Sequence, residues 1–143
     1  MNVASILKGK GADIITAKES DDIATIAKTL GGHKIGAVLI VDDEGHVRGV
    51  ISERDIVRGL SESGDACLKK SVSELMTSNV ITCTPKDTID QVMSLMTEKR
   101  IRHLPVMEND ALVGFISIGD VVKNRMDEVE REAAAMRDYI ATG

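Results

Sequence analysis

Apolar positions along the chain follow two rhythms. Ile23, Ile26, Ala27 and Leu30 fall at i, i+3, i+4 and i+7, and so do Ile89, Val92, Met93 and Met96. That spacing puts each set on one face of a helix, so two short amphipathic helices are predicted. Asp21 and Asp87 precede these stripes as expected N-caps, and Gly31-Gly32 is expected to end the first helix. Between the helices the rhythm changes. GAVLIV (36–41) is a continuous apolar run, predicted as a buried strand; DDEG (42–45) follows as a turn and VRGVIS (47–52) as a second strand. The same order returns as HLPVM, END and ALVGFIS (103–117). Pro105 has no N–H to give to a ladder and is expected at a strand start or edge. Further helices are predicted from near Glu53 and near Ile118, with helical character in SVSELMT (71–77).

The chain repeats itself. Displaced by 66 residues, ITAKESDDIATIAKTLGGHKIGAVLIV lies over ITCTPKDTIDQVMSLMTEKRIRHLPVM. After a one-residue gap near Asp110, VRGVISERDIV lies over LVGFISIGDVV. Identical pairs include Thr16/Thr82, Asp21/Asp87, Ile23/Ile89, Ile35/Ile101, Gly49/Gly114, Ser52/Ser117 and Asp55/Asp120. The predicted fold class is therefore mixed α/β (α+β): a β-α-β-β-α unit, made twice.

Composition narrows the chemistry. At 143 residues the chain can bury a core without staples, and aromatics are almost absent, with Phe115 and Tyr139 alone. The core is expected to be Ile, Val, Leu, Ala and the seven Met. A net charge of −5 argues against a nucleic-acid partner, which would call for a basic face. Cys67 and Cys83 lack metal-ligand spacing and are expected to be free thiols in a reducing compartment. No segment approaches ~18 apolar residues, and the N-terminus lacks a signal-peptide stretch, so no membrane partner and a cytoplasmic location are expected.

Each repeat ends in Gly, two apolar residues, Ser, two variable residues and Asp: GVISERD (49–55) and GFISIGD (114–120). A serine at a strand end caps the following helix, and an acid in its first turn complements the dipole. The same geometry also suits a nucleotide. Free N–H groups and a hydroxyl meet a phosphate, and the acid accepts from ribose hydroxyls. Gly49 and Gly114 would permit close backbone approach. From the residues alone, both readings stand.

This repeat, with its G-h-h-S-x-x-D ending, resembles the cystathionine-β-synthase (CBS) domain in tandem, over about residues 8 to 125. The resemblance implies a pseudo-two-fold pair with a long C-terminal helix: repeats at 8–62 and 76–125, a connection at 63–75 and an extension at 126–143. It also implies two clefts between the repeats for adenine nucleotides such as AMP, ADP, ATP, NAD or S-adenosylmethionine. Carried over by position, the first cleft would use Ser52, Arg54 and Asp55, with Ile35, Gly36 and Ala37 and with Thr77, Asn79 and Val80. The second would use Ser117 and Asp120, with Arg100, Arg102, His103 and Leu104 and with Lys10, Gly11, Ala12 and Ile14.

The two sets differ in charge. Arg54 has Gly119 as its counterpart, whereas KRIRH (99–103) concentrates cations where the first repeat has HKIGA. The second cleft is therefore expected to hold a phosphorylated ligand more tightly. Beyond Asp120, Val122, Met126, Val129, Ala133, Met136 and Ile140 alternate spacings of four and three, a seam for a helix partner. This seam and the resemblance together predict a homodimer, with Ile56/Val57/Leu60 and Val121/Val122 facing the partner. No nucleophile–base pair, phosphate loop or metal cluster is visible, so neither catalysis nor a catalytic cofactor is expected. The reading is a nucleotide-sensing regulatory module that signals to an unidentified protein. A dimerisation scaffold with degenerate clefts is the alternative.

Overall fold

A computed structural model describes residues 1–11 and 13–142; the expectation for Ala12 lies outside the described residues. The elements run α1 (Val3–Lys10), β1 (Thr16–Lys18), α2 (Ile23–His33), β2 (Ala37–Val41), β3 (Val47–Ser52), α3 (Glu53–Ser63), α4 (Ile89–Lys99), β4 (His103–Glu108), β5 (Ala111–Ser117) and α5 (Ile118–Thr142). The predicted mixed α+β class is what forms. The chain divides into two compact units, one of Ile14–Ile81 and one joining Met1–Asp13 to Thr82–Gly143.

In the Ile14–Ile81 unit a three-stranded sheet has the order β1-β2-β3, parallel between the first two strands and antiparallel between the last two. Ile23, Ile26 and Leu30 of α2 pack with Val38, Ile40 and Ile51 of the sheet and with Ile56 of α3. The i, i+3, i+7 stripe is thus the buried face of α2. Its N-cap is Asp22, one residue later than expected; Asp22 accepts from the Thr25 N–H at 2.8 Å. Asp21 instead closes the preceding turn by accepting from the Lys18 N–H at 3.1 Å. The glycine pair does not stop α2, which runs to His33 and turns out at Lys34 with φ 55°.

The other unit follows the same plan. Thr88, not Asp87, caps α4 in a reciprocal box with Gln91, and α4 turns out at Arg100, again with φ 55°. Asp87 repeats the role of Asp21, accepting from the Thr84 N–H at 2.9 Å. The two hairpins share a register shift, at Ile40/Val41 and at Val106/Met107, but differ in their turns. Asn109 and Asp110 both have positive φ, which makes the tight two-residue turn favoured between antiparallel strands.

Pro105 lies inside β4 rather than at its start, and its position explains the main difference between the units. The Cys83 N–H donates to Pro105 O at 3.0 Å, so the proline nitrogen faces the same side, away from β5. With no N–H there, pairing with the 81–84 segment stops at one bridge, Cys83 with Val106, where the first unit forms β1. The N-terminal helix, not foreseen from the periodicity, joins this unit: Val3 and Ala4 N–H donate to Asp87 O and Pro85 O at 2.9 and 3.0 Å. Methionine contributes less to the core than expected, with Met96 the one methionine among the buried hydrophobic residues described.

The repeated glycines are explained by the chain itself. A Cβ on Gly49 would meet Met76 Sδ at 2.6 Å and Thr77 O at 2.9 Å, because residue 77 exchanges both backbone bonds with Val50. A Cβ on Gly114 would run into Leu7 Cδ2 of α1. Gly49→Ala is expected to lower the unfolding free energy by about 1–3 kcal/mol, since a backbone oxygen must move. Gly114→Ala should cost less, because only the end of a leucine side chain must rotate. Urea denaturation of both variants tests this ordering, and an equal or reversed loss would contradict it.

Candidate functional site

Both Ser-x-x-Asp turns form at a strand-to-helix corner. At β3–α3 the Asp55 N–H donates to Ser52 Oγ at 3.4 Å, and Asp55 Oδ2 accepts from the Ser52 N–H at 2.9 Å and its hydroxyl at 3.2 Å. At β5–α5 the Asp120 N–H donates to Ser117 Oγ at 3.2 Å, and Asp120 Oδ2 accepts from the Ser117 N–H at 2.8 Å. Each pair satisfies two orphan donors of a helix start reciprocally, so the capping role holds at both corners.

The residues opposite belong to the same corners. Ala37 pairs with Ser52 across the sheet and His103 with Ser117. Gly36 O accepts from the Glu53 N–H at 2.9 Å, and Arg102 O accepts from the Ile118 N–H at 2.8 Å. Ile35 is partly buried; Ala37 and Leu104 are buried, so these two can offer a ligand only backbone groups. Thr77 is tied to the far edge of β3 through Val50. Asn79 is exposed and Val80 partly buried, and neither hydrogen-bonds to the turn among the described residues. Gly11 ends α1 with φ 91°, and Ile14 falls in the other unit. The predicted site residues therefore assort by unit. The first set lies wholly in Ile14–Ile81, and the second, apart from Ile14 and Ala12, in its counterpart.

The two carboxylates are not equivalent. Asp55 is 8% exposed, and its second oxygen accepts from Arg58 Nη2 at 3.1 Å, so both oxygens are engaged within the corner and α3. Arg58 was not singled out from the sequence, although its i+3 spacing from Asp55 on one helix face was readable. Asp120 is more open, with 26% of its side chain exposed. Its Oδ2 meets Lys10 Nζ at 2.6 Å, and the same ammonium reaches Phe115 O at 2.8 Å. Among the described residues no donor reaches its Oδ1. Burial by itself would raise the Asp120 pKa, but the Lys10 hydrogen bond, the Ser117 N–H and the lysine charge outweigh it. Together they hold the carboxyl below its ordinary value of 3.8.

Lys10 is the cation in contact with this second corner. Arg100 and Arg102 are exposed and have no carboxylate partner among the described residues; Arg54 near the first corner is likewise exposed and unpaired. The His103 ring lies 5.7 Å from that of Phe115, tilted by 31°. Cys83 is buried, and that burial, with the Asp87 charge, pushes its thiol up to about 12. The other cysteine, Cys67, is buried as well. No group of three or more His, Cys, Asp or Glu that could hold a metal occurs among the described residues. No helix among them is long and apolar enough to cross a membrane.

α5 is one continuous helix of 25 residues. Val122, Met126, Val129, Met136 and Ile140 are all exposed along it, and a groove of about 410 Å³ beside Met93 of α4 is lined by Val122, Met126, Val129 and Ala133. Two of the residues expected to face a partner do not. Ile56 and Val121 are buried in their own units at 7% and 0%, while the adjacent Val57 and Val122 point outward at 64% and 43%. Neighbouring helix positions lie ~100° apart, so a consecutive pair cannot share one face.

The depressed Asp120 pKa sets a pH dependence. A carboxylate more acidic in the folded than in the unfolded chain adds stability above the unfolded pKa, lost as pH falls through the folded value. The stability difference between the parent and Asp120→Asn is therefore expected to be constant at neutral pH and to shrink below the ordinary value of 3.8. Urea unfolding at a series of pH values measures it; a difference that grows on acidification would refute the assignment.

Comparison with known proteins identifies the family and the fold. The CBS domain family profile matches residues 10–62 and 72–127. The mitochondrial CBS domain-containing protein CBSX3 of Arabidopsis thaliana is 33% identical over 142 residues, covering 95% of this chain and 69% of its own. The crystal structure of the CBS-domain containing protein ATU1752 from Agrobacterium tumefaciens superposes with a TM-score of 0.85 at 48% identity, covering 87% of this chain and 92% of its own. The CBS domain pair of protein MJ0100, in complex with 5′-methylthioadenosine and S-adenosyl-L-methionine, superposes with a TM-score of 0.76 at 31% identity, covering 86% of this chain and 98% of its own. With two matched repeats and two Ser-x-x-Asp corners, the chain is a member of the CBS domain family, built as a CBS pair.

Proposed function

We propose that this CBS pair is a regulatory module that binds an adenine nucleotide at the Ser117–Asp120 corner and signals its occupancy to a partner protein. The observation that carries the reading is the state of the Asp120 carboxylate. It is ionised, partly exposed and open on one oxygen among the described residues, and the exposed Arg100 and Arg102 directly precede β4, whose first residue pairs with Ser117. A ribose diol needs an acceptor of this kind, and the N-terminus of α5 with the arginines suits a phosphate. The adenosine-containing ligands of the MJ0100 pair support the same ligand class. Asp55, with both oxygens engaged, is the weaker of the two sites. AMP, ADP, ATP and NAD all carry the required group. Coupling to the partner is set by the ligand's differential affinity for two states, about 1–3 kcal/mol in typical cases. Two buried free thiols suit a reducing compartment such as the cytoplasm.

The exposed stripe of α5 supports a homodimer. Apolar side chains repeating at four- and three-residue spacing, beside a groove of the same character, match a second copy of the same helix. Val129→Asp is expected to convert a dimer to monomer, read by sedimentation equilibrium; a parent that sediments as a monomer would remove this part of the reading.

A thermal-shift panel of AMP, ADP, ATP, NAD and S-adenosylmethionine, with GMP as control, tests the nucleotide reading. A ligand at 100 times its dissociation constant stabilises by about 2.7 kcal/mol. The expected result is a shift with at least one adenine ligand and its loss in Asp120→Asn. A flat panel at millimolar concentrations would leave the corners as helix caps and the chain as a dimerisation scaffold.

A further inference from the structure

The Asp120 corner holds a cation. Lys10 is the last residue of α1, which is anchored to this unit through Val3 and Ala4 and packs Leu7 over Gly114. Its Nζ sits 2.6 Å from Asp120 Oδ2 and 2.8 Å from Phe115 O, two residues before Ser117. The side chain is 35% exposed. Its ammonium can therefore leave the carboxylate by rotating about flexible methylene bonds while α1 stays in place. The first unit has no such arrangement. Val72 N–H donates to Asp21 O as Val3 does to Asp87 O, and Met76 lies over Gly49 as Leu7 does over Gly114, so the counterpart of Lys10 is the neutral Asn79; the Asp55 carboxylate is held by Arg58 from its own helix.

We infer that Lys10 is a selectivity residue that makes the Asp120 site prefer a nucleoside phosphate over an unphosphorylated nucleoside, an inference that rests on the nucleotide reading above. A ribose diol has two hydroxyls to donate: one takes the open Oδ1 of Asp120, and the other competes with the lysine for Oδ2. A neutral nucleoside displaces the ammonium and offers it nothing in return. A nucleoside 5′-phosphate brings an anion to the α5 N-terminus, at the same end of β5 where Phe115 O already holds Nζ, so the displaced ammonium exchanges one charged partner for another. Lys10 thus penalises occupancy by an uncharged ligand and rewards a charged one. An ammonium is suited to this because it is a point charge with rotatable donors.

Calorimetric titration of the full chain with AMP and with adenosine, for the parent and Lys10→Met, tests the inference. The component to follow is the one that Asp120→Asn removes. The parent should prefer AMP, and Lys10→Met should narrow the AMP-to-adenosine affinity ratio by roughly tenfold, as expected for losing one charge-assisted contact. Adenosine itself should bind no more weakly to the variant than to the parent. Lys10→Arg, which keeps the charge, should preserve most of the AMP preference and guards against a Lys10→Met chain that is simply misfolded. An unchanged ratio, or adenosine and AMP weakened equally, would overturn the role of Lys10 alone. Failure of both ligands to bind the parent would overturn this inference; a flat thermal-shift panel besides would overturn the nucleotide reading on which it rests.

Discussion

The structure depends on the corner where a strand ends in serine and a helix begins. Its reciprocal bonds, serine oxygen to aspartate N–H and aspartate oxygen to serine N–H, fix where α3 and α5 start. A helix start leaves several N–H groups without partners, and a corner that satisfies two of them locks the direction in which the helix leaves the sheet. In α3 that direction buries Ile56 in the core shared by α2 and the sheet. In α5 it buries Val121 and leaves Val122, Met126 and Val129 outward. The same bonds hold one carboxylate per unit beside a helix N-terminus, so a structural constraint and a binding feature are made of the same atoms.

Duplication gives two corners with one plan, and small local differences give them different chemistry. Arg58, one turn along α3, takes the free oxygen of Asp55 and leaves that acid closed. At the other corner Gly119 stands where Arg54 stands, and the cation on the acid comes from farther away, Lys10 of α1. An acid whose counter-charge arrives on a separate segment is easier to open than one paired within its own helix. The contrast between Asp55 and Asp120 is therefore one of exchangeability more than of charge.

Pro105 shows how a single residue redirects a unit. Because its nitrogen faces the 81–84 segment, a third full strand cannot form there, and one bridge at Cys83 is what remains. The N-terminal helix docks nearby on Pro85 O and Asp87 O, where backbone acceptors are available. That docking carries Lys10 to within hydrogen-bonding distance of Asp120.

What the sequence determined by itself was what local rhythm can encode. The stripes of α2 and α4, the strands 47–52 and 111–117, the starts of α3 and α5 and the duplicated Ser-x-x-Asp corners all follow from residues within a few positions of one another. Periodicity missed where cap and core boundaries shift by one residue: Asp22 and Thr88 cap in place of Asp21 and Asp87, and Ile56 and Val121 turn inward beside Val57 and Val122. Tertiary structure alone decided which segments meet. It brought Lys10 to Asp120 across 110 residues, filled the space over Gly49 and Gly114 with Met76, Thr77 and Leu7, and assigned the N-terminus to the unit of the second repeat. The physical reason is that spacing records which face a side chain takes, whereas a contact between distant segments depends on the shape and the unpaired backbone groups each presents once folded.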